Sequence, residues 1–92
     1  MAGGALKLTL LSRTYCHLCH AMEAAVMPMA QEFGVTVEVL DVDADPELER
    51  TYGELVPVLL DGDGRELCHY FLDSAKVRDY LSSRVASGRR SQ

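Results

Sequence analysis

The chain has 92 residues and a net charge of −5, which gives it room for one domain and one modest core. That charge excludes a nucleic-acid partner, because phosphates would be repelled, and the only basic cluster, Arg84 with Arg89 and Arg90, is too short to offset it. No stretch approaches the roughly 18 to 20 apolar residues of a membrane span, and Met1-Ala2-Gly3-Gly4-Ala5 lacks the basic and apolar regions of a signal peptide, so a cytoplasmic location is expected.

Leu6 to Leu11 alternates and then turns fully apolar, as a central strand covered on both faces does. Ser12 to Tyr15 reads as a loop that delivers the chain to Cys16. Met22, Val26, Met29, Ala30 and Phe33 then fall on one helical face, with Gly34 as the C-cap. Pro28 lies inside that pattern and predicts a kink or break. Val35 to Leu40 is a strand with β-branched residues on a period of two. Asp45-Pro46 reads as an N-cap and first helical position, and Gly53 ends a short helix near Tyr52. Val56 to Leu60 is a short strand opened by a proline. Asp61-Gly62-Asp63-Gly64 turns the chain, and Glu66 to Tyr70 returns antiparallel. Asp73 caps a last helix whose stripe is Val77, Tyr80, Leu81 and Val85, and Leu72 and Val77 are placed for a hydrophobic staple. One domain over residues 1–86 and a disordered tail over 87–92 are expected. The element order is βαβαββα, in which the first strands run parallel through crossover helices and the last two form a hairpin.

The chemistry is concentrated in Cys16-His17-Leu18-Cys19. Three cysteines in a reducing compartment do not make a disulfide framework, and a close Cys-x-x-Cys pair there is catalytic or metal-binding. At the opening of a helix, the Cys16 sulfur meets unsatisfied N–H groups and the positive end of the dipole. Both favour thiolate and draw the pKa down from about 8.5 toward neutrality. Cys19 lies one turn deeper, near enough to close a disulfide, so one sulfur attacks and the other resolves. The same spacing serves zinc sites, but its position after a strand, inside a βαβ pattern, favours redox chemistry.

The run Leu8 to Cys19, the segment Asp41-Val42-Asp43-Ala44-Asp45-Pro46, Tyr52-Gly53 and the strand Val56-Pro57-Val58-Leu59-Leu60 together resemble the glutaredoxin-like family of small bacterial proteins. The resemblance spans about residues 6 to 83. It implies a thioredoxin-like α/β fold, a four-stranded mixed sheet with helices on both faces. It also implies Cys16 as nucleophile, Cys19 as resolving thiol and Pro57 in cis beside them. On position alone Pro57 is a proline at the first residue of a strand, which is ordinary. A cis bond there would leave the backbone of Val56 unpaired to receive an extended substrate segment. Ordinary glutaredoxins carry Cys-Pro-Tyr-Cys and a Gly-Gly before the final helix. Here His17-Leu18 fills the motif and Phe71-Leu72-Asp73-Ser74 precedes the helix.

The expected activity is thiol–disulfide exchange on a disulfide-containing protein or small thiol substrate, by a monomer without bound cofactor or metal. Electrons would come from glutathione or a thioredoxin-reductase-type partner, and the missing glycine pair favours the second. The rival is a carrier that uses the same cysteines for zinc, copper(I) or an iron–sulfur cluster. Cys68 reads as a buried, inert residue, or as the third member of a Cys₃His zinc set. His17 is a candidate for stabilising the Cys16 thiolate or moving its proton, while His20 and His69 are weaker candidates. Arg13 reads as a solvated charge, or as the basic residue found before the motif in glutaredoxins. Asp41, Asp43 and Asp45 imitate a calcium loop, but Pro46 stands where glycine is required, so they read as strand-end and cap residues. The acids from Glu38 to Glu54 read as a solvated acidic face.

Overall fold

β1 (Lys7–Ser12) is central because its apolar residues point both ways: Leu8, Leu10 and Leu11 have no exposed surface. The computed structural model describes residues 6–89, with side chains through Arg84. β1 pairs in parallel with β2 (Thr36–Asp41) and antiparallel with β3 (Val58–Leu60), and β3 pairs antiparallel with β4 (Glu66–His69). The sheet order is β2-β1-β3-β4. α1 (His17–Phe33) makes the crossover from β1 to β2. A 3-10 turn (Val42–Ala44) and α2 (Pro46–Tyr52) lead to β3, and α3 (Ser74–Arg89) follows β4.

One face of the sheet carries α1 and α3: Leu8, Leu10, Leu59, Leu67 and Cys68 pack with Met22, Val26 and Met29 of α1 and with Val77 and Leu81 of α3. Each fully buried leucine there contributes roughly 1.5–3 kcal/mol relative to an exposed one. The other face carries the smaller group of Leu11, Val42, Val58 and Leu60, under Leu48 and Tyr52 of α2. Leu60 pairs with Glu66 but Leu59 with Cys68, so Leu67 is the extra residue of a β-bulge. The bulge explains why adjacent Leu67 and Cys68 belong to the same core cluster.

α1 runs unbroken through Pro28, where the sequence predicts a kink or break. Pro28 and Ala24, whose carbonyl loses its partner, are both exposed, so that carbonyl lies on the solvent side of the helix and the ring meets only a small side chain. Gly34 ends α1 in the left-handed region at φ 70°, its N–H bonded to the Gln31 carbonyl, while Val35 N–H bonds the Ala30 carbonyl. Arg78 of α3 donates two hydrogen bonds to Glu32 of α1, at 2.9 and 3.2 Å, and thereby holds the Glu32 carboxyl below its ordinary pKa.

The Asp61 carboxylate accepts from the N–H groups of Asp63 and Arg65 at 2.8 and 2.9 Å and closes the β3–β4 turn. Asp73 caps α3 through Lys76 N–H at 3.1 Å, and Leu72 packs on the cluster that holds Val77. β3 begins at Val58, two residues later than the apolar run begins, and the Val56–Pro57 peptide bond is cis. With no proline in its path, α3 continues to Arg89, into the stretch expected as tail, while the side chain of Val85 and residues 90–92 lie outside the described residues.

Candidate active site

Three residues, Arg13 to Tyr15, separate β1 from the motif. Tyr15 takes φ 62° with its side chain 96% exposed, a backbone conformation uncommon for an aromatic residue. Cys16 follows in extended conformation as the N-cap of α1, and its Sγ accepts the Cys19 N–H at 3.0 Å. A sulfur thus fills the place that a serine or aspartate oxygen usually takes. The first turn holds no acidic residue, so no carboxylate there opposes charge on that sulfur. Cys16 is half-buried and Cys19 has no exposed surface. The two are joined as a disulfide, with Cα atoms 5.1 Å apart. The pair therefore sets a partly exposed cysteine at the helix start above one that solvent cannot reach.

His17, Leu18 and His20 are exposed around the motif, and among the described residues none of their side chains makes a hydrogen bond. His69 lies on β4, hydrogen-bonded to the Glu66 carboxylate.

Pro57 lies at the same end of the sheet as the motif. Val58 pairs with Leu11, so the residue before Val58 sits where β1 runs out toward Cys16. Pro57 is fully buried and its carbonyl accepts Tyr70 N–H at 2.9 Å. Val56 is half-buried, and among the described residues its N–H and carbonyl make no hydrogen bond.

Arg13 is neither free nor merely solvated. Its Nε bonds both carboxylate oxygens of Asp43, at 3.2 and 3.1 Å, and Nη2 bonds Asp43 Oδ1 at 3.0 Å. Nη1 bonds the Gly53 carbonyl at 3.1 Å, and Nη2 lies 3.5 Å from Glu49 Oε2. The hydrogen bond to Asp43 raises the guanidinium pKa still further. Gly53 permits this approach: a Cβ there would lie 2.5 Å from the Glu49 carbonyl oxygen and 3.3 Å from Arg13 Nη2. The partners stand thirty and more positions from Arg13 in the chain, and no local pattern announces such a contact.

The acidic run is correspondingly occupied. Asp41 and Asp45 accept the Asp43 and Glu47 N–H groups, each at 2.9 Å, as cap residues do. Glu38 pairs with Lys7 at 2.8 Å and Glu47 with Arg50 at 3.0 Å. An open groove of about 430 Å³ runs beside the motif on the β2 side, lined by Thr14, Tyr15, His20, Glu23 and Val39. Cys68 is a free, buried thiol in the core under α1 and α3, and burial pushes its pKa up. Among the described residues no three His, Cys, Asp or Glu side chains gather in a metal-binding group, so Cys68 does not join Cys16 and Cys19 in one.

Residues 7–82 match the Glutaredoxin-like domain (DUF836). The chain belongs to the glutaredoxin-like family. The solution structure of protein Ne2328 from Nitrosomonas europaea is 39% identical to this glutaredoxin-like chain, covering 85% of it and 93% of that protein, with a TM-score of 0.77. Protein XcR50 from X. campestris is 37% identical over 83% of this chain and 96% of its own, with a TM-score of 0.63. Thioredoxin 1 from Thermosipho africanus shares the fold at 18% identity, over 91% of this chain and 99% of that one, with a TM-score of 0.66. No curated protein matches the chain. A thioredoxin-like fold with a disulfide-capable pair at a helix start supports a redox-type function. No helix of the described residues is long and apolar enough to cross a membrane.

Proposed function

We propose that the chain is a dithiol reductase of disulfides, with Cys16 as nucleophile and Cys19 as resolving thiol. The observation that carries this reading is the Cys16 sulfur at the N-cap of α1, half-exposed and hydrogen-bonded by Cys19 N–H, above a fully buried partner sulfur. In the reduced protein the Cys16 thiolate attacks one sulfur of a substrate disulfide. A mixed disulfide forms, and the other substrate sulfur leaves as thiolate and takes a proton. Cys19, deprotonated, then attacks Cys16 Sγ and releases the second substrate thiol. Two electrons have passed to the substrate, and the protein holds the Cys16–Cys19 disulfide.

The unpaired backbone of Val56 offers an extended substrate segment one donor and one acceptor at the motif end of the sheet, which binds polypeptide without reading its side chains. Pro57 contributes no N–H at that end of the sheet. A thiol reductant, glutathione or a thioredoxin-reductase-type protein, returns the two electrons, and the cytoplasm is the compartment that supplies it. Arg13 is committed to Asp43 and Gly53, which supports the second reductant over an anionic small thiol.

Trapping tests the assignment. Cys19→Ser is expected to accumulate a mixed disulfide through Cys16, and Cys16→Ser none. Mass spectrometry that finds equal trapping through either cysteine, or none, overturns it.

A further inference from the structure

The redox reading leaves one problem of geometry. The nucleophile sits after the loop 13–15, whereas the docking backbone sits at the end of the segment 53–57, and the strand pairing of β1 with β3 begins only beyond both, at Leu11 and Val58. Thr14 and Tyr15 are exposed, so packing does not hold the first loop. At its far end the second segment is held by Tyr70, whose OH donates to the Glu54 carbonyl at 3.1 Å and whose N–H donates to the Pro57 carbonyl at 2.9 Å.

We infer that Arg13 is a positioning residue that sets the distance between the Cys16 sulfur and the Val56 backbone. Among the described residues its bond to the Gly53 carbonyl, at 3.1 Å, is the only hydrogen bond between residues 13–16 and 53–57. The same guanidinium is fixed in plane by Asp43 of the 3-10 turn and lies against Glu49 of α2. One planar fork thus joins the nucleophile loop, the turn and the C-terminal end of α2. A lysine, with a single nitrogen, cannot span an aspartate and a carbonyl on different elements in this way. The close approach that Gly53 allows belongs to the same arrangement, because a side chain there would push the segment off both Glu49 and Arg13.

The role is geometric. Arg13 and Asp43 side chains are 34% and 48% exposed, so the pair adds little to stability. Sulfur exchange is sensitive to alignment instead: the attacking sulfur must approach along the line of the substrate's S–S bond while the substrate backbone is held at Val56. Arg13 acts where both ends must be in register, on a polypeptide disulfide. A small disulfide with no backbone to dock reaches Cys16 without that register.

The inference rests on the reductase reading, and the experiment separates the two. Pre-reduced protein is oxidised in single turnover by a disulfide-closed peptide and by 2-hydroxyethyl disulfide. Arg13→Ala is expected to slow the peptide reaction about tenfold or more while slowing the small disulfide less than about threefold, since misplacement by an ångström costs up to about a hundredfold. Asp43→Ala, at an exposed position where folding is not at risk, is expected to give the same selective loss, and Arg13→Lys to recover only part of it. Arg50→Ala removes the same charge from α2 and is expected to change neither rate. Equal loss on both disulfides, no loss, or an equal effect of Arg50→Ala overturns the role of Arg13 while leaving the reductase reading intact. A wild-type protein that reacts with neither disulfide overturns both.

Discussion

Cysteine is a poor substitute for serine as a helix cap in its thiol form, but as a thiolate it is an acceptor that the first-turn N–H groups favour. Cys16, the proposed nucleophile, therefore gains from the helix most as a thiolate, and iodoacetamide trapping of the reduced protein should inflect below the ordinary thiol range of about 8.5. Cys68 is the opposite case. Burial raises its pKa and so favours the protonated thiol in the folded protein. Its contribution to stability is complete below the ordinary thiol range and is lost as pH climbs through the raised folded-state value. Cys68→Ala should leave disulfide reduction intact and lower stability by roughly 1 kcal/mol through a small cavity, as urea unfolding would measure. A loss of turnover in that variant would give Cys68 a part in the reaction. The helix-start position of Cys16 and the burial of Cys68 were both legible in the sequence, because each follows from residue type and place. It does not show the clasp of Arg13, because a guanidinium reaching Asp43 and Gly53 depends on how three separate segments are folded together.

At the level of elements, most boundaries follow from residues that a sequence displays: Asp45-Pro46 starts α2, Gly34 stops α1 and Asp73 starts α3. Pro28 shows where such reading fails. The cost of a helical proline depends on whether the freed carbonyl is wet, and that depends on which side of α1 faces the sheet. With the carbonyl of Ala24 on the exposed side, the helix tolerates the proline but still lacks one hydrogen bond. Pro28→Ala should therefore raise stability by roughly 1–3 kcal/mol, with the fold and the motif chemistry unchanged. Chemical denaturation checks it, and a neutral or destabilising result would mean that the proline's restriction of the unfolded chain outweighs the missing bond. The bulge at Leu67 is harder to read, because two adjacent apolar residues, Leu67 and Cys68, equally suit a strand covered on both faces, and only the pairing with β3 shows which residue is extra.

For the whole molecule, the fold was legible because the order of strands and helices admits few arrangements once parallel strands need crossovers and a hairpin must be antiparallel. The division of the core was less so. α2 has seven residues and covers Leu11, Val58 and Leu60, but it leaves the outer strand of that face to polar Thr36 and Glu38.

That half-covered outer strand has a consequence for life in a crowded solution. Among the described residues β2 has a neighbour on one side only, and its six residues carry three of high β-propensity, Thr36, Val37 and Val39, with Val39 43% exposed. A strand from another copy would find there an open row of backbone groups to copy itself onto. The carboxylates of Glu38 and Asp41, both exposed, are what a second copy must desolvate or approach head-on. Glu38→Val would leave the run Thr-Val-Val-Val-Leu along the rim, and light scattering should then rise with concentration where the native chain stays clear. On this view Glu38, which takes no part in the redox site, guards the molecule against its own kind.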